Sequence, residues 1–203
     1  MDNLEKQEKD KYTNAWEYGA EGQSRTAWYI FNYLKNILDK TYKILDLGCG
    51  NGLVVELLRQ EGYNIVGVDI TLTGLNQHTP MIKFTPEIIL TPKRENYFEA
   101  PLWNLSFKDN EFDFTFSTDV LEHIPPEYIN KTIQEINRIT KTKSFHCIST
   151  FKDNRGGFVF HLTVQPIDWW KEKFKALNQK NIDIELIDRQ QFLKTVIPGY
   201  LGK

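Results

Sequence analysis

The sequence predicts an α/β fold. A mainly parallel, seven-stranded sheet with helices on both faces and an antiparallel edge strand makes one domain over residues 1–203. Three observations predict it. Apolar strand-like runs alternate with helical stripes, the pattern of βα units. Residues 44–52 read Ile-Leu-Asp-Leu-Gly-Cys-Gly-Asn-Gly, a strand that runs into a glycine turn and a helix start at Leu53. Two strand-like runs close the chain with no helix between them, which suits an antiparallel edge.

Taken in order, residues 1–11 are polar and read as a loose or disordered helix, and residues 1–22 as an N-terminal lid or flexible segment. From Ser24 to Leu38, apolar residues at Ala27, Ile30, Phe31, Leu34, Ile37 and Leu38 keep helical spacing. The first strand spans 43–47, the next helix 53–60, ended by Glu61-Gly62, and the second strand 64–69. Pro80, Pro86 and Pro92 interrupt residues 70–96, which read as a short helix and an irregular connection. Further strands fall near 97–103, at 112–117 and at 144–149. Pro125 and Pro126 open a helix with the stripe Ile129, Ile133, Ile136 and Ile139. Asp153 to Gly157 is a loop, residues 166–178 a helix, and 182–187 and 192–197 the closing strands.

Composition narrows the function classes. The formal net charge is −2 and the isoelectric point near 6.1, which argues against a dedicated nucleic-acid surface. Lys131, Arg138, Lys141 and Lys143 read as a solvated face. The two cysteines, Cys49 and Cys147, lack metal-ligand spacing and read as reduced buried thiols. Met1 to Lys11 has no apolar core, and no apolar run reaches membrane-spanning length. The expectation is a soluble, cytoplasmic protein with no membrane partner and no set oligomeric state.

The glycine turn offers backbone N–H groups at a helix start, where a ligand can touch main chain. Val66-Gly67-Val68-Asp69 is a second strand ending in an acid, suited to accept hydrogen bonds from ribose hydroxyls. A dinucleotide fingerprint needs a third Gly or Ala where Leu53 stands. The pattern instead resembles motif I of the class I S-adenosylmethionine-dependent methyltransferases, of the small type 11-like kind. The resemblance extends through Asp69 and Phe112 to Ile124, and covers roughly residues 43–150. It implies a Rossmann-like domain with S-adenosyl-L-methionine as cofactor. It implies backbone contacts from Gly48, Cys49 and Gly50 to the methionine part, and Asp46 supporting the loop or reaching the amino group. Asp69 would hold the ribose and Ile70 flank the adenine, with Ser117 and Thr118 facing the amino acid end. Pro101 stands where many relatives carry an acid that meets adenine, so the Leu102 N–H and Trp103 or Asn104 are the expected substitutes. Arg25, in an aromatic group with Tyr12, Trp16 and Tyr18, is the expected cofactor carboxylate partner.

Methyl transfer to a hydroxyl needs a base, and histidine suits neutral pH. His123 lies just past the fourth strand and His161 follows the glycine-rich loop after the fifth, so either is the expected catalytic base. His78 reads as a surface residue and His146 as a satisfied core histidine. Asp119, Glu122 and His123 have the spacing acid-x-x-acid-His, which would suit magnesium or manganese; the preferred expectation is a site without metal. Phe151, Phe158, Phe160, Trp169 and Trp170 would wall an acceptor pocket. His161 to Pro166 followed by Trp169-Trp170 resembles a run in methyltransferases of surface-glycan pathways. The expected acceptor is therefore a small molecule, methylated on O or N, such as a sugar or glycan precursor. The alternatives are an RNA or protein methyltransferase and a non-catalytic S-adenosylmethionine-binding protein.

Overall fold

The structure is a computed structural model. It describes residues 2–18, 25–76, 92–155, 158–197 and 200, with the backbone alone at 25, 154, 155 and 158. His78, Pro80, Pro86, Gly156, Gly157 and the side chains of Arg25 and Phe158, all singled out above, lie outside it.

The elements are α1 (Asn3–Glu17), α2 (Arg25–Ile37), β1 (Lys43–Leu47), α3 (Leu53–Gln60), β2 (Asn64–Asp69), β3 (Tyr97–Glu99) and β4 (Phe112–Thr118). They continue with α4 (Ile129–Ile139), β5 (Thr140–Ile148), β6 (Asn154–Arg155), β7 (Phe158–Val159), α5 (Ile167–Leu177), β8 (Asp183–Asp188) and α6 (Arg189–Val196). Six strands form one sheet in the order β3-β2-β1-β4-β5-β8. Every pairing in it is parallel. The order reverses between β1 and β4, so a crevice opens there at the carboxyl ends of the strands.

Strand periodicity sorts the apolar side chains onto two faces. Ile44, Ile65, Phe114, Phe116 and Phe145 pack with α2, α3 and α6. Leu45, Leu47, Val68, Phe112 and Ile148 pack with α4 and α5. Phe112 and Phe114 would share a face in a regular strand. A register shift between them in the β4–β5 pairing sends them to opposite faces.

One expectation is corrected and one refined. The run 192–197 is not an antiparallel edge strand but part of helix α6, so the main sheet has six strands among the described residues. Asp188 caps that helix, its side chain accepting from the N–H groups of Gln190 and Gln191. Phe192, Leu193 and Val196 then follow helical spacing, and the first two are buried. For the N-terminus, read as a loose or disordered helix, the structure shows a regular helix that runs on to Glu17. Asp2 caps it through the N–H of Glu5 at 2.9 Å.

Candidate functional site

A cavity of about 710 Å³ opens at the crevice. The glycine turn forms its floor. Gly48, Gly50 and Gly52 all have positive φ, and the N–H groups of Gly48 and Cys49 both donate to Val68 O, at 2.7 and 3.1 Å. This ties the turn to the end of β2, so that Gly50 N–H reaches Asp69 Oδ2 at 2.8 Å. Asp46 lies between β2 and β4, in register with Gly67 and Phe116. Burial first, and the charge of Asp69 second, hold its carboxyl well above the usual range. The Cys49 thiol is pushed up for the same reasons, with Asp46 adding a second charge. Desolvation raises Asp69 to about 6, against the lowering effect of the N–H groups of Gly50, Thr71 and Ile70.

Helix α1 covers this floor. Glu8, Tyr12 and Trp16 are one helical face and all line the cavity. Lys9 bridges to Glu99 at 2.7 Å, Thr13 Oγ1 donates to Thr71 Oγ1 at 3.1 Å, and Tyr12 Oη meets His123 Nδ1 at 2.7 Å. The helix therefore touches the ends of β2 and β3 and the turn after β4.

Beside the glycine turn, past the end of β4, stands a cluster around Glu122. Asp119 adopts φ 53° at the end of β4, and a short 3₁₀ turn, Leu121–His123, follows. Glu122 is fully buried. Its Oε1 accepts from Ser149 N–H at 2.9 Å, and its backbone carbonyl accepts from Leu162 and Thr163 N–H, at 2.8 and 2.9 Å. Those last two bonds fix the segment that carries His161, whose ring lies 4.7 Å from that of His123 at 70°. Burial, with the charge of Asp119 second, holds the Glu122 carboxyl well above the usual range. The Asp119 carboxylate instead meets Arg189 Nε at 3.1 Å.

The "Methyltransferase domain" family model matches residues 45–148, and the "Predicted AdoMet-dependent methyltransferase" model matches residues 5–84. The chain belongs to the S-adenosylmethionine-dependent methyltransferases. It is 25% identical over 134 residues to a ubiquinone biosynthesis O-methyltransferase of Rickettsia conorii, a match that covers 66% of this chain and 43% of that protein. The chain thus spans less than half the length of that relative. A solved 1,6-didemethyltoxoflavin-N1-methyltransferase of Burkholderia thailandensis, with S-adenosylhomocysteine bound, shares the fold at TM-score 0.61. The match is 14% identical and covers 83% of this chain and 75% of that one. A second structure, a putative methyltransferase from an antibiotic biosynthesis pathway of Anabaena variabilis, matches at TM-score 0.54 and 21% identity, over 75% and 61% of the two chains.

Of the residues singled out from sequence, the methyltransferase brings Asp46, Gly48, Cys49, Gly50, Asp69, Ile70, Leu102, Trp103, Thr118, His123 and His161 to one cavity. Ser117 is a correction. It is fully buried and does not line the cavity; its Oγ lies 2.8 Å from His146 Nδ1. Strand alternation turns Ser117 away where Thr118 turns in. His146 is the core histidine expected, packed near Phe174 and lowered by burial to about 3. Trp103 stacks on Tyr128 at 4.2 Å. Phe151 lines the cavity, whereas Phe160 and Trp170 are fully buried.

Sequence reasoning missed Arg189 and Gln190, which line the cavity from the start of α6. The signal was present. Asp188 followed three residues later by Gln191 is an N-terminal helix signature.

Proposed function

We propose that this chain transfers the sulfonium methyl of S-adenosylmethionine to a hydroxyl of a small molecule. One observation carries the reading: a single cavity is lined both by the floor residues Asp46, Gly48, Cys49, Gly50 and Asp69 and by the histidine pair His123 and His161. In this reading Asp69 exchanges its Gly50 contact for the ribose hydroxyls. Asp46 receives the amino group, whose positive charge would offset the burial that disfavours its ionised form. Leu102 and Trp103 flank the adenine with Ile70, Thr118 faces the amino acid end, and Arg25 takes the carboxylate. Helix α1 serves as the lid that shuts out water.

The acceptor oxygen attacks the methyl carbon in line. The new C–O bond forms as the C–S bond breaks, and its electron pair returns to sulfur. In this reading His123 or His161 takes the departing proton. The Rickettsia relative's name points to oxygen as the nucleophile. A second cavity of about 400 Å³ shares Lys152 and His161 with the first and adds Asn130, Gln165 and Trp169. An aromatic face with amide neighbours suits a hydroxyl-rich ring, so the acceptor class proposed is a sugar or glycan precursor. Incubating the protein with methyl-labelled S-adenosylmethionine and a panel of sugars, sugar nucleotides, phenols and amines tests this. Label should enter a hydroxyl compound; transfer to RNA, protein or amines alone would contradict it.

A pH dependence follows from Asp69. Its folded value, about 6, lies above the ordinary 3.8, so the neutral form dominates at pH 5 and cannot accept both hydroxyls. Cofactor affinity is expected to fall about tenfold per pH unit below about 6. Without cofactor the sign reverses for stability. The raised value favours the folded state at low pH, and that contribution is lost as pH rises from about 4 to about 6. Calorimetric titrations between pH 5 and 8 check the first statement; a flat affinity would remove the ribose role from an ionised Asp69.

A further inference from the structure

We infer that Glu122, His123 and His161 form a binding site for a first-row divalent cation of the Mn²⁺, Fe²⁺ or Zn²⁺ class. One ligand atom from each of the three lies within 4.8 Å of the others. The second observation is independent of that spacing. Glu122 Oε2 is buried with no hydrogen-bond partner, although Oε1 is held by Ser149 N–H. A buried acceptor left unmade destabilises the fold, the more so if it is charged. A cation between the carboxylate and the two rings removes that cost.

The imidazoles are oriented as ligands are. His161 Nδ1 is hydrogen bonded to the carbonyl of Phe151. A carbonyl only accepts, so the proton sits on Nδ1 and Nε2 carries the lone pair. His123 Nδ1 is held by Tyr12 Oη. An outer partner on one ring nitrogen, fixing the tautomer and aim of the other, is the usual support of a metal-bound histidine. The segment bearing His161 is stitched to the Glu122 carbonyl by two backbone bonds, so the three donors hold their positions together. Asp153 Oδ2, 3.9 Å from His161 Nε2, is a fourth donor atom near the set.

The donor set selects the ion. Two imidazoles and one carboxylate suit first-row divalent metals, whereas magnesium and calcium favour all-oxygen sets. It also differs from the set the sequence spacing suggests, because Asp119 faces Arg189 and His161 takes its place. The site itself needs no assumption about methyl transfer; its role does rest on the function proposed above. With the ion bound, the two imidazoles serve as its ligands in place of the base role given them above; an acceptor hydroxyl bound to the ion would lose its proton to water more readily, leaving an alkoxide to attack the methyl.

The test is calorimetry with MnCl₂ and with ZnCl₂ on the EDTA-treated, dialysed full chain. About one ion per chain is expected, with affinity at least tenfold weaker in Glu122→Gln and in His161→Ala and unchanged in Asp119→Asn. Spin-echo spectra of bound Mn²⁺ should carry nitrogen couplings that weaken in His161→Ala. S-adenosylmethionine titrations of each variant confirm that it is folded. Wild-type protein that binds neither ion, or triad variants that fold and bind as tightly as wild type, would overturn the site. Failure of the ions with S-adenosylmethionine still bound leaves the methyltransferase reading standing. The opposite pattern removes that reading and keeps the site.

Discussion

Asp69→Ala is expected to weaken S-adenosylmethionine binding about 100-fold. The carboxylate ends β2 at the cavity wall, tethered by Gly50 N–H at 2.8 Å. Two hydroxyl bonds to an ionised acceptor contribute about 3 kcal/mol together at the low end of their range, and each 1.4 kcal/mol is tenfold. Asp69→Asn keeps one acceptor and should lose about tenfold. Isothermal titration of both variants with the cofactor checks this, and equal affinities for wild type and Asp69→Ala would refute the ribose assignment. Thermal unfolding of the same samples separates this loss from damage to the turn, because Asp69 also holds Gly50.

Gly52→Ala is expected to destabilise the fold by about 3 kcal/mol. Gly52 has φ 76°, a region that costs an L-residue about 1–2 kcal/mol. Its added Cβ would also stand 2.5 Å from Tyr97 Oη and 2.9 Å from Cζ. Tyr97 cannot yield easily: it is buried and its hydroxyl donates to Glu56 Oε1 at 2.7 Å. Overpacking of this kind adds about 1–3 kcal/mol. Gly62 supplies the control. It has φ 84°, yet its nearest neighbour to an added Cβ is Lys40 Nζ at 4.0 Å. Gly62→Ala therefore carries the backbone cost alone. For a chain of this size each kcal/mol moves the melting temperature by about 2–4 °C. Scanning calorimetry should show Gly52→Ala melting roughly 6–12 °C below wild type and Gly62→Ala about half as far. Equal shifts would mean that Tyr97 does not crowd the glycine turn.

The parallel core was readable because each strand carries a local signal that tertiary contacts do not reverse. β1 and β2 begin and end where periodicity places them, since Lys43 and Asn64 sit at the amino ends and the glycine turn and Asp69 at the carboxyl ends. The tail was not readable that way. Phe192 to Ile197 offers apolar and β-branched residues that satisfy either period over so short a run. The cap at Asp188 and burial of Phe192 and Leu193, with Phe192 against Tyr33 of α2 and Phe145 of β5, decide for helix. The donor residues followed from the glycine turn, because a strand–turn–helix unit places its own ligand groups within a few residues. The acceptor side depends on groups far apart in sequence. The Leu162 and Thr163 N–H bonds to Glu122 and the Thr163 hydroxyl bond to Ile124 O hold His161 beside His123, and no local pattern announces such bonds. Ser117 and Thr118 show the same limit at the scale of one residue. Naming the end of a strand does not tell which of two neighbours turns to the cavity.

The central claim is that the floor built by Asp46, Gly48, Gly50 and Asp69 binds the methyl donor. Calorimetry of the wild-type chain at pH 7.5 with S-adenosylmethionine, S-adenosylhomocysteine and NAD⁺ tests it most directly. Saturable binding of the first two at about one per chain, with none for NAD⁺, is the predicted result. Binding of NAD⁺ alone, or of no nucleoside ligand, would contradict it.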